Sequence, residues 1–271
     1  MPTTTFFTSC NEGYEAFVLP YIASVLHHND DTAVEICVQQ PEQFTEENKA
    51  ALAIIAQRFP DRVLIRGGQF SGVLAHSVRF LEEPKIRADY SYIGDIDVLV
   101  LDRNITDVHQ RHMQRTGLPY SNILRPNTKR LTGLHFTRTD VHYPLRVPDD
   151  AELKGNDEQL LYRLVENKGL PFPDPADTFR PLHGYHFSLQ RTPTAAPGKL
   201  HWSLEPMYLD AYLNLVGSSF WEDLSPLFHP AYRFLLAIQQ SALQSRHPDR
   251  EIYRIDEVKR LFKGLAGTRK A

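Results

Sequence analysis

The chain has 271 residues, 42% of them hydrophobic, which is enough for one large core or for a core with a small appendage. Thirty Lys and Arg against 33 Asp and Glu give a net charge of −3, which excludes a global field that would attract nucleic acid. No window approaches the ~20 consecutive apolar residues that cross a bilayer, and the N-terminal MPTTTFFTSCNEGYE has no cationic segment followed by an apolar run, so folding in the cytoplasm is expected.

Short β-branched or aromatic runs alternate with stretches of helical period over the first hundred residues, the pattern of a parallel-sheet α/β protein. Strands are predicted at Thr5–Ser9, Ala33–Gln39, Arg62–Arg66 and Tyr92–Leu101. Tyr14, Phe17, Val18, Tyr21, Ile22 and Val25 mark a first covering helix, and Leu52, Ile55, Ala56 and Phe59 a second. Cys10 and Cys37 lie in apolar stretches without CxxC spacing and read as reduced core residues. A third helical stretch is expected over Ser71–Leu81. Prolines at 119, 126, 144 and 148 then break the alternation, and loops of this kind often build acceptor sites. Glu158–Asn167 has helical period with Asn156 or Asp157 as its cap, and Phe179–Leu189 reads as a strand. A loop with Pro193, Pro197 and Gly198 separates this core from helices at Leu204–Val216, Tyr232–Gln244 and Ile255–Leu265. The expected division is a catalytic domain over 1–200 and a helical C-terminal extension over 201–271.

The strongest chemical signal is Tyr92-Ile93-Gly94-Asp95-Ile96-Asp97-Val98-Leu99-Val100-Leu101, where two carboxylates interrupt an apolar run. On a strand, residues two apart project to one side, so Asp95 and Asp97 can reach one cation. Hard oxygen ligands suit Mg²⁺ or Mn²⁺ bound together with substrate phosphates. His109 and His112 lie three apart on a potential helix, with no third ligand spaced to complete a metal site.

With its helix Ser77-Val78-Arg79-Phe80-Leu81 followed by Tyr90-Ser91-Tyr92-Ile93-Gly94-Asp95-Ile96-Asp97, the chain resembles the GT-A glycosyltransferases, in particular the branch related to family eight. The resemblance spans roughly Thr5–Arg191. It implies a GT-A, Rossmann-like mixed sheet flanked by helices, and transfer of a sugar from a nucleotide-sugar donor, a UDP-sugar by analogy, to a glycan or glycolipid hydroxyl. By the same analogy Phe7, Thr8, Ser9 and Tyr14 border the base and ribose, and Arg79 lies near the donor sugar or phosphates. Asp95-Ile96-Asp97 holds the cation and the diphosphate. Thr132-Gly133 takes the place of the family's small-residue turn, keeping its glycine and lacking its asparagine. Asp157 and Glu158 are then the candidates for contact with sugar hydroxyls or for action at the reacting carbon. A late strand supplies a histidine ligand, for which His183 and His186 are both open, and Arg191 stands behind them near the phosphates; imidazole favours Mn²⁺ slightly over Mg²⁺.

Two other readings are carried alongside. In a phosphohydrolase of the haloacid dehalogenase type, Asp95 is the nucleophile and Asp97 the acid, but Val98-Leu99 departs from the D-x-D-x-[TV]-[LV] continuation. In the other, the same fold binds a nucleotide-sugar without turnover. Finally, Ile255, Val258, Leu261, Phe262 and Leu265 share a helical face beside Lys259, Arg260 and Lys263, so peripheral contact with an anionic membrane is expected if that face is not packed on the protein.

Overall fold

The run TTFFTSC has no proline and is rich in β-branched and aromatic residues; it forms β1 (Thr4–Cys10), buried along its whole length as a strand covered on both faces must be. In the computed structural model, which describes residues 1–145, 147, 155–187 and 205–244, a 3-10 turn leads from β1 to α1 (Val18–His28). Then come β2 (Thr32–Val38), α2 (Pro41–Glu47), α3 (Lys49–Arg58) and β3 (Val63–Gly67). β2 pairs in parallel with β1, and β3 with β2. The chain next crosses to the other side of β1. There α4 (Val78–Leu81) precedes β4 (Tyr90–Ile93), which is parallel to β1 with Thr4 opposite Tyr90 and Phe7 opposite Ile93. Strand order therefore reverses between β1 and β4, and in such sheets ligands bind outside the carboxyl ends of the strands at that reversal.

β5 (Val98–Val100), α5 (Ile105–Thr116), β6 (Tyr120–Ser121), β7 (His135–Arg138), α6 (Thr139–His142), α7 (Asp157–Asn167) and β8 (Gly184–His186) follow. β7 joins β4 antiparallel and β6 joins β7, giving a six-stranded mixed sheet in the order β3-β2-β1-β4-β7-β6. β5 and β8 form a separate antiparallel pair. The last described elements are α8 (Leu209–Val216), α9 (Ser219–Leu224) and α10 (Pro230–Gln244). They share one core with the sheet: Phe220 meets Phe59, Tyr232 meets Phe17, and Tyr212 meets Tyr185, with ring centroids 5.1–5.8 Å apart. Each such buried aromatic contributes about 1.5–3 kcal/mol. Cys10 and Cys37 are free and buried, and burial pushes both thiols up in pKa.

Three predicted elements differ from the observed ones. Tyr92–Leu101 is two strands in two sheets: β7 ends opposite Ile93, β1 continues past it alone, and the chain leaves the six-stranded sheet at Gly94 to pair again as β5 with β8. The Ser71–Leu81 helix shrinks to a 3-10 turn at Ala75–Ser77 followed by α4; Gly72 has a φ of +76°, which no helix accommodates. Of the predicted Phe179–Leu189 strand, whose last two residues lie outside the described ones, the described part is paired as a strand over Gly184–His186, with Pro181 and the left-handed His183 (φ +59°) interrupting it before that. The Pro193–Gly198 loop, Arg191 and the Ile255–Leu265 helix lie outside the described residues.

Candidate functional site

The Asp95–Asp97 segment sits at the β1/β4 reversal and is fastened from three sides. Thr8 Oγ1 donates to the Gly94 carbonyl at 2.8 Å, and Arg79 Nη1 donates to the same oxygen at 3.1 Å. Arg79 also donates to Asp95 Oδ1 at 2.6 Å and, through Nη2, to Asp157 Oδ2 at 3.0 Å. The Phe187 N–H donates to the Asp97 carbonyl at 2.7 Å, and Val98 stands opposite His186 in the β5–β8 pair. That pairing carries His186 Nε2 to 3.2 Å from Asp97 Oδ1 and 4.0 Å from Asp95 Oδ2. Asp95, Asp97 and His186 thus offer three ligand atoms within 4.8 Å of one another, the one such group among the described residues.

Position 184 accepts only glycine. Its φ is +143°, and a Cβ there would stand 2.0 Å from the Leu99 carbonyl oxygen. The close approach of β8 to β5, and with it the place of His186, depends on that missing side chain.

Electrostatically the site is balanced from within. Burial raises the Asp95 carboxyl, but the Arg79 guanidinium, followed by His186, outweighs it and holds the group below the usual carboxylate range. For Arg79 burial opposes the charge, while Asp95 and Asp157 more than restore it. Arg79 is only 2% exposed, so its charge is committed to these two carboxylates.

Two clefts meet at Asp95, Arg79 and His186. The outer one, about 480 Å³, is lined by Ser9, Asn11, Tyr14, His76, Ile96 and Asp97 as well. The inner one, about 170 Å³, is walled by Asn122, Arg125, Thr132, Gly133, Asp157 and Glu158, among others. Asn156 caps α7 by accepting from the Gln159 N–H, which sets Asp157 and Glu158 in the first helical turn. Glu158 is gripped by Arg125 through two nitrogens, and Asp157 Oδ1 accepts from the Glu158 N–H.

Most of the predicted site residues converge here: Ser9, Tyr14, Arg79, Asp95, Ile96, Asp97, Thr132, Gly133, Asp157, Glu158 and His186 all line one or both clefts. Phe7 and Thr8 do not. Phe7 is fully buried in the core, and Thr8 donates to the Gly94 carbonyl. His183 also stands elsewhere, fully buried with Nδ1 2.9 Å from Asp102 and Nε2 2.9 Å from His109. Asp95 and Asp97 converge from a loop and not from the strand that their spacing predicts. Asn11, His76, Asn122 and Arg125 were not legible as site residues. Only the 33-residue separation closed by the Arg125–Glu158 pair brings Arg125 in, and no local pattern encodes it.

No family model matches the chain, and no curated protein sequence does. Among solved structures, the apo form of the glycosyltransferase GlyE of Streptococcus pneumoniae TIGR4 aligns with a TM-score of 0.40 at 11% identity, over 62% of this chain and 44% of GlyE. Residues 1–349 of S. aureus TarS align with a TM-score of 0.41 at 9% identity, over 98% of this chain and 83% of that one.

Proposed function

We propose that the protein is a metal-dependent glycosyltransferase that binds a nucleotide-sugar in the outer cleft with its sugar in the inner one. The observation that carries this reading is the convergence of Asp95, Asp97 and His186 where the two clefts meet, at the strand-order reversal. Two carboxylates and an imidazole form a donor set that fits Mn²⁺ or Mg²⁺. When bound there, such an ion supplies Lewis-acid stabilisation of the charge that develops on a leaving diphosphate. The outer cleft has the ~300–1,000 Å³ volume usual for ligand pockets, and Tyr14 and Asn11 give it an aromatic wall and an amide for a base.

The chain's own groups divide the remaining work. Arg79 orients Asp95 and Asp157, one on each side of the junction. Asp157 and Glu158, already engaged by Arg79 and Arg125, are positioned acceptors for sugar hydroxyls, with the Thr132-Gly133 backbone opposite them. A Cβ at Gly133 would lie 3.3 Å from the Arg79 guanidinium, so the glycine keeps that wall thin. A phosphohydrolase would need Asp95 as a free nucleophile, and its Oδ1 accepts from Arg79 at 2.6 Å. The donor base, the acceptor and any membrane-bound form of it are part of this proposal, the UDP-sugar and the glycan or glycolipid acceptor being the leading assignments.

The test is a thermal-shift screen of UDP, GDP, CMP and dTDP sugars with and without Mn²⁺. A shift that needs both nucleotide and metal, followed by metal-dependent release of the nucleoside diphosphate, is expected. Stabilisation by no nucleotide, or by one equally well in EDTA, overturns the reading.

A further inference from the structure

The polar side chains that line the inner cleft are engaged by the protein itself, with one exception among the described residues. Arg79 and Arg125 hold Asp95, Asp157 and Glu158. Asn122 Oδ1 accepts from Thr132 Oγ1 at 2.6 Å, His109 Nδ1 lies 2.7 Å from Ser121 Oγ, and His186 Nε2 lies 3.2 Å from Asp97. Arg180 is engaged as well. The exception is the Tyr92 hydroxyl, which has no hydrogen-bond partner among the described residues. Tyr92 is only 3% exposed, yet its hydroxyl is not sealed in the core, and the residue lines the inner cleft.

Packing fixes where that hydroxyl stands. Tyr92 is the third residue of β4, and its ring stacks on Phe6 of β1 with centroids 4.5 Å apart. His109 and His183 meet the ring edge-on at 6.0 and 5.7 Å. The ring also lies against Gly94: a Cβ there would stand 2.7 Å from Tyr92 Cε1 and 3.4 Å from the phenolic oxygen. Gly94 precedes Asp95, so the ring carries its hydroxyl from the sheet to the foot of the Asp95–Asp97 loop. Held in this way, the group is oriented before a ligand arrives, which lowers the ordering cost of binding. Burial, reinforced by the nearby Tyr21, Asp95 and Asp102, pushes the phenol well above its usual range, so it stays protonated and can donate.

Water in the cleft can accept this bond in the free protein. A ligand that displaces the water has to replace the bond or leave a buried donor unsatisfied. The same cleft offers the Asp157 and Glu158 carboxylates as acceptors and Phe179, Pro181 and Leu182 as apolar surface. A ring whose hydroxyls both donate and accept, with C–H faces between them, matches that set, and a sugar is such a ring. Resting on the nucleotide-sugar reading above, we propose that the Tyr92 hydroxyl donates a hydrogen bond to a hydroxyl oxygen of the transferred sugar, and so selects a donor bearing that hydroxyl over its deoxy analogue. A site built to bond one hydroxyl discriminates against the analogue that lacks it, because the protein's own group then loses its partner.

The experiment is calorimetry in Mn²⁺ on the full-length wild type and on Tyr92→Phe, which keeps the stacked ring. The probes are UDP, GDP and dTDP, each alone and as its glucose, galactose and mannose esters, with the monodeoxy forms of whichever ester binds tightest. Tyr92→Phe is expected to melt within a few degrees of wild type and to lower the ratio of ester to bare nucleotide affinity by about tenfold, the scale of one neutral hydrogen bond. A purely structural hydroxyl would weaken both ligands alike and leave that ratio unmoved. One monodeoxy ester should lose the same factor with wild type and not with Tyr92→Phe. An unchanged ratio in the variant overturns the assignment and leaves the nucleotide-sugar reading standing. So does a wild type that binds every monodeoxy ester as tightly as its parent, a result that needs no variant to fold. A wild type that binds none of the probes overturns that reading and the assignment with it.

Discussion

A guanidinium that is 2% exposed and bonded to two carboxylates is the residue on which the acidic site depends. Replacing Arg79 by Met leaves Asp95 and Asp157 without their counter-charge. Breaking a fully buried pair costs about 3–5 kcal/mol. The Asp95 side chain is 40% exposed, so water screens part of that loss, and about 2 kcal/mol in urea unfolding is the expected cost of Arg79→Met. Asp97 behaves differently. It is 7% exposed with His186 at 3.2 Å, and its carboxylate is costly to bury unless a cation or that ring pairs with it. Asp97→Ala is therefore expected to keep the fold, with a melting temperature within a few degrees of wild type. It should lose nucleotide affinity in Mn²⁺ by at least about tenfold, the loss of roughly 1.4 kcal/mol or more that one ligand supplies. Calorimetry with and without Mn²⁺ checks this, and unchanged affinity would remove Asp97 from the metal site.

At the scale of elements, the site is assembled by the crossing of β5 and β8, and glycine permits the crossing. Gly184→Ala meets the Leu99 carbonyl at 2.0 Å and strains a φ of +143°. Destabilisation by about 2–4 kcal/mol is expected, together with loss of metal-dependent binding, because His186 is two residues away. The variant that folds at wild-type stability with binding intact would show that this crossing is not what positions His186. The same crossing explains what the sequence could and could not disclose. β1, β2 and the covering helices were legible because apolar period and burial on both faces leave a local pattern. Asp95 and Asp97 were legible because charge interrupts such a run. Where β4 ends was not, since its antiparallel partner β7, distant in sequence, ends opposite Ile93. The choice between His183 and His186 was hidden for a related reason: a left-handed His183 next to a glycine at +143° breaks the two-residue alternation from which facing is read.

Across the whole molecule, acid stability turns on histidines that are buried without partners. His142 is 1% exposed and His28 6% exposed, and neither ring has a hydrogen-bond partner among the described residues. Burial, helped by Lys168, lowers His142 to about 3. Burial, then His27 and Arg103, lowers His28 to about 4, with Asp102 pulling the other way. Both are neutral when folded and take up protons near pH ~6.5 when unfolded. The sign is that of a depressed group: full stability above ~6.5, lost progressively as the pH falls toward about 4 for His28 and about 3 for His142. Each unit of depression corresponds to ~1.4 kcal/mol, so the two rings together set an acid limit worth several kcal/mol. Carboxylates titrate in part of the same window, and a single substitution separates the contributions. His142→Phe retains an aromatic ring against Tyr143 and His135 and removes the titrating group. The variant is expected to unfold at a lower pH than wild type and to show a shallower fall in urea stability between pH ~6.5 and ~4, with little difference above ~6.5. Parallel stability curves for the two proteins across that window would mean that His142 is protonated equally in the folded and unfolded chain, and that its burial contributes nothing to acid unfolding.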